Sequence, residues 1–104
     1  MLLQYSIQGQ QPQVLIGVTN FTIKKSSMVI EHSGGAVECE KDIEDFSTIY
    51  CESQNQFRVS MLNNNVFTDL ESNITVIQKI SGVIKIDGTS ILDSDDYFIH
   101  VHEL

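Results

Sequence analysis

The side chains best suited to chemistry are His100 and His102, separated by one residue near the end of the chain. On a β-strand this spacing puts both imidazoles on one face, about 7 Å apart along the backbone, where a third ligand from a neighbouring strand would complete a divalent metal site. His32 is the remaining histidine, and Glu31, Asp87, Glu103 and the acidic turn at 93–96 offer carboxylates. A plainer arrangement competes with the metal. Tyr97, Ile99 and Val101 alternate with the two histidines, so the core takes the first set and solvent the second. The first expectation is therefore no cofactor, and a divalent metal held by His100, His102 and His32 is the alternative.

Cys39 and Cys51 each share the apolar side of their segments, with Val37 and Ile49. They read as a reduced, buried pair that could lie close together. The eleven residues between them match no zinc-ligand spacing, and Lys41 is the nearest base. Asp93, Asp95 and Asp96 bring three carboxylates onto one turn, but neither the glycine nor the bidentate acid of a calcium loop follows, which leaves a solvated turn. There is no G-x-S-x-G elbow, no glycine-rich phosphate loop and no H-E-x-x-H, and the chain holds three histidines and a single arginine. These residues point away from an enzyme.

The charge is uneven. The net charge is −8, yet residues 1–30 hold Lys24 and Lys25 and no acid, while 31–52 hold seven acids against Lys41 and 86–104 hold five acids with no Lys or Arg. Such a balance disfavours direct binding to nucleic acid or to an anionic membrane surface. It suits either a solvated acidic surface or a face for a basic protein partner, made by Glu38, Glu40, Asp42, Glu44 and Asp45 and joined by Asp93, Asp95 and Asp96. With 41% apolar residues, no long apolar run and no signal-peptide pattern after Met1, the expectation is one domain over 1–104, soluble and cytoplasmic.

The elements that would position these groups are strands. Leu3, Tyr5 and Ile7 alternate with polar neighbours, and 13–25 reads as one bent strand or two short ones. Ser33-Gly34-Gly35 and Ser81-Gly82 supply turn chemistry between β-rich runs, and Asp87-Gly88 sets off a further strand at 89–92. Phe46 to Glu52 and Phe57 to Leu62 bracket Ser53, Gln54, Asn55 and Gln56 as a third hairpin. Residues 66–73 read as a loop or a short helix. Between 66 and 80 two periods compete: Val66, Phe67, Leu70, Ile74, Ile77 and Ile80 form a helical stripe, but the four consecutive β-branched residues Ile74, Thr75, Val76 and Ile77 favour strand.

The fold expected is mainly β, a small antiparallel sandwich or barrel of about eight to ten short strands. The alternative is α+β with one helix near 64–80. The function expected is non-enzymatic: an acidic face that binds a basic protein partner, or a subunit of a larger assembly of the phage or mobile-element type. A small-molecule or metal-binding β-barrel is the second reading. If the last strand is an edge, it offers a pairing surface for a homodimer.

Overall fold

The computed structural model describes residues 1–25, 27–41, 46–63, 66–93 and 97–104. Among these residues ten strands form one antiparallel sheet: β1 (Leu2–Ile7), β2 (Gln13–Leu15), β3 (Val18–Lys24), β4 (Ser27–His32), β5 (Val37–Lys41), β6 (Phe46–Asn63), β7 (Val66–Ile80), β8 (Val83–Ile86), β9 (Thr89–Asp93) and β10 (Phe98–Glu103). The main path runs β5-β4-β3-β10-β6-β7-β8-β9, while β1 pairs with β6 and β2 with β1. The mainly-β expectation holds. The sheet curls into a half-barrel around one hydrophobic cluster, consistent with the small antiparallel barrel or sandwich expected.

Alternation decides which side chains enter that cluster. Leu3, Tyr5 and Ile7 of β1, Phe21 and Ile23 of β3, Met28 and Ile30 of β4, and Ile99 and Val101 of β10 are all buried. Their sequence neighbours face outward, so a one-residue slip anywhere would turn a whole strand inside out. Ile84 and Ile86 are buried as β8 alternation requires. The described residues contain no helix, hence none long and apolar enough to cross a membrane.

Local turn chemistry accounts for the short hairpins. Ser81 and Gly82 have φ values of 51° and 78°, and Asp87 and Gly88 have 53° and 83°. Two successive positive φ angles are the type I′ signature, whose twist matches that of the flanking strands. Asp87 also ties its hairpin to β7: its carboxylate accepts from the buried Thr75 hydroxyl (3.1 Å) and from the Val76 N–H (2.9 Å). Without that acceptor the fully buried Thr75 hydroxyl would lose its partner.

The centre of the molecule departs from the sequence reading. The hairpin expected around 53–56 does not exist, because β6 runs on through it as one strand of 18 residues. The loop or short helix at 66–73 and the alternative helix near 64–80 are likewise replaced by β7, which lies antiparallel to β6 from Asn63↔Val66 to Thr48↔Gln78. The polar residues 53–56 form an irregularity in the ladder, since Glu52 pairs with Ile74 and Phe57 with Ser72. On one flank of β6, β1 ends where Leu2 meets Glu52, and β10 takes over where Glu103 meets Phe57. β6 thus exchanges one neighbour for another at its irregular segment, while β7 accompanies it throughout.

Candidate functional site

β10 is an inner strand, between β3 and β6, not an edge. Its core side is Ile99 and Val101, with Tyr97 just before it, and its outer side carries Phe98, His100 and His102. These three rings stack along the strand: Phe98 and His100 have centroids 6.3 Å apart, and His100 and His102 6.0 Å. Cross-strand pairing then places Thr22 and Ser60 beside His100, and Asn20 and Arg58 beside His102. His100 Nδ1 shares a 2.8 Å hydrogen bond with the Thr22 hydroxyl. Partial burial pushes the His100 imidazole below its ordinary 6.5, His102 adds to the effect, and Glu31 opposes it.

His32 is placed elsewhere. It follows Met28 and Ile30 in the alternation of β4, which puts it at the rim of the core side, opposite to His100 and His102. There its Nε2 lies 2.7 Å from Glu38 Oε2. Thus the sheet brings two of the three histidines together and separates the third. Among the described residues no three His, Cys, Asp or Glu side chains converge as a metal-binding group.

The acidic residues fall on two different edges. Glu38 and Glu40 occupy register positions opposite Ile30 and Met28 on β5, which opens the strand order. Asp93 pairs with Val83 at the end of β9, which closes it. Asp42, Glu44, Asp45, Asp95 and Asp96 lie outside the described residues. Other carboxylates are engaged locally: Asp69 and Glu71 with Arg58 at 3.5 and 3.0 Å, and Glu31 with the Asn20 amide at 2.7 Å.

The cysteines are not a buried pair. Both are free, Cys51 buried and Cys39 exposed. Cys39 pairs with Val29 and Val37 with Glu31, which are outward-facing residues of β4. The apolar side of β5 is therefore the side turned away from the core, a reversal that alternation within β5 alone could not reveal. Burial pushes the Cys51 thiol up to about 12, so it stays protonated and inert.

Two features escaped the sequence reading. Where β6 exchanges neighbours, Glu52, Ser53, Gln54, Asn55 and Asn73 line an open cleft of about 630 Å³ with Met1 and Leu2. Two of these lining residues are tied to Glu103: the Met1 amino nitrogen and the Ser53 hydroxyl both donate to its Oε2, at 2.9 and 3.3 Å. The bond from the amino group is the main reason that Glu103 titrates below the usual carboxylate range, with burial opposing it. The second feature is β2, paired only with β1 among the described residues and followed by Ile16, which is 77% exposed. Its signal, an uncharged apolar segment after Pro12, was present in the sequence as β-pattern and says nothing there of an edge. Comparison with protein-family models, with curated proteins and with solved structures returns no match.

Proposed function

We propose that this chain is a non-enzymatic interaction module, a subunit of a larger assembly, that engages a basic protein partner along β5. The observation that carries this reading is the position of Glu38 and Glu40 on a strand with one neighbour, β4, among the described residues. An edge strand presents unpaired N–H and C=O groups to an incoming extended segment. Charge then selects the partner. Glu38 is exposed apart from its contact with His32, and Asp42, Glu44 and Asp45 follow in the sequence. Lys or Arg at alternate positions of the incoming strand would face the glutamates, while small apolar residues between them would face Val37 and Cys39, both exposed.

The test uses an alternating lysine–threonine peptide as the basic extended probe, followed by fluorescence anisotropy at rising salt. Affinity is expected to fall steeply between about 50 and 500 mM salt, as the screening length shrinks. Glu38→Lys, Glu40→Lys and Glu44→Lys together are expected to abolish binding, whereas Glu52→Lys with Glu71→Lys, away from this edge, leaves most of it. Cys39 supplies a local readout, because an added strand would slow its reaction with a thiol reagent. Unchanged affinity in the triple variant would sink the proposal.

A further inference from the structure

We infer that β2 and the residues just after it form the surface through which two copies of this chain pair edge to edge. This surface is separate from β5, and its test does not depend on the reading of that strand. Residues 1–23 contain no Asp, Glu, Lys, Arg or His, although the whole chain carries −8. Two copies repel wherever their acidic parts approach, and the repulsion is least where neither is charged. Within that stretch, whose one charge is the Met1 amino group already paired with Glu103, Val14 and Ile16 are 56% and 77% exposed, and β2 has β1 as its sole described neighbour. Solvent-exposed apolar edges are normally blunted by lysine, glutamate or an inward charge. β2 has none of these.

A second copy fits this edge better than it fits the others. When two identical strands pair antiparallel across a two-fold axis perpendicular to the sheet, directly opposed residues share a face, so their numbers sum to an even value. On β5, every such register that overlaps three or more strand residues sets a glutamate against Glu38 or Glu40 of the other copy, and like charges directly opposite are destabilising. β9 runs into Asp93, Asp95 and Asp96. On β2, the register centred on Leu15 sets Val14 of each copy against Ile16 of the other. Val14 lies opposite the exposed Gln4, on the outer side, and Leu15 lies opposite the buried Leu3. Pairing would therefore join four outer apolar side chains in one cluster and bring the two Leu15 side chains together at the ends of the cores. The register centred on Val14 is poorer, because it opposes Ile16 to Pro12, which has no N–H to donate.

So short an edge predicts a concentration-dependent dimer, not an obligate one. Sedimentation velocity of the full chain from about 10 µM to about 1 mM covers the range of weak association. The sedimentation coefficient is expected to rise from monomer to dimer, and added salt is expected to strengthen the dimer by screening the like charges. That response is opposite in sign to the binding proposed for β5, so the two readings fail separately. Val14→Lys with Ile16→Lys, at exposed positions, should hold the chain as a monomer across the range with an unchanged circular dichroism spectrum. In the wild type, amide exchange at residues 13–16 should slow as concentration rises, which tests the surface without any variant. A monomer at every concentration, a dimer that survives both lysines, or a dimer without added protection at 13–16 would each overturn the inference.

Discussion

Burial gives His100 a weaker hold on a proton than the same imidazole has in the unfolded chain. The groups around it come from three other strands: Thr22 and Asn20 on β3, Ser60 and Arg58 on β6, and Glu31 on β4. The sign of the consequence follows from linkage. As pH falls through the ordinary imidazole value near 6.5, the unfolded chain takes up the proton first, so stability is full above that value and declines below it. The decline ends once the folded imidazole is protonated too. In urea unfolding between about pH 7.5 and 5, His100→Gln should lose part of the acid-side fall in midpoint seen for the wild type, and parallel curves would exclude His100 as a source. Alternation with Tyr97, Ile99 and Val101 was enough to place this histidine outward. Its Thr22 partner was not legible, because the contact joins residues 78 apart in sequence.

The same contrast between local and distant information explains β6 and β7. Glycine turns at 34–35, 82 and 88 could be read because the positive φ they need is a property of a few adjacent residues. The error at 53–56 arose because Ser, Gln, Asn and Gln have turn chemistry, yet here they fill a ladder irregularity while β6 continues to Asn63, paired with Val66 of β7. The helical rival had a structural cause. Leu70 and Ile77 are seven residues apart, a spacing that falls on opposite faces of a regular strand and on one face of a helix. Both nevertheless pack against the core, because the face of β7 switches between Ser72 and Ile74. One extra residue, Asn73, makes this switch, and the Ser72 hydroxyl braces it by bonding the Ile74 N–H at 3.2 Å. Deleting Asn73 would bring Leu70 and Ile77 to six residues apart, a spacing that lies on one face of a regular strand. Both halves of β7 should therefore keep their core side, and the loss in chemical denaturation should stay below the roughly 2 kcal/mol that exposing one such side chain costs. Asn73→Ala keeps the switch and should cost no more; a loss of several times that figure on deletion would show that the irregular segment 53–56 of β6 needs the extra residue opposite it.

At the scale of the whole molecule, a sheet that curls into a half-barrel must manage its edge strands. Two of them, β5 and β2, are managed in opposite ways. β5 carries glutamate at alternate positions, which obstructs pairing with its own kind and leaves room for a basic strand. β2 carries no charge and admits a copy of itself. If both inferences hold, removing the charge from β5 should give each molecule two self-complementary edges. Molecules with two separate two-fold interfaces link into chains, whereas molecules with one stop at the dimer. Glu38→Val with Glu40→Val is thus expected to scatter light with a mass that keeps growing past the dimer as concentration rises. Adding Val14→Lys and Ile16→Lys to that variant should return the limit to a dimer, now joined through β5. A double valine variant whose mass stays at the wild-type limit would show that the glutamates are not what keeps β5 unpaired, and would remove the main reason for assigning that edge to a basic partner.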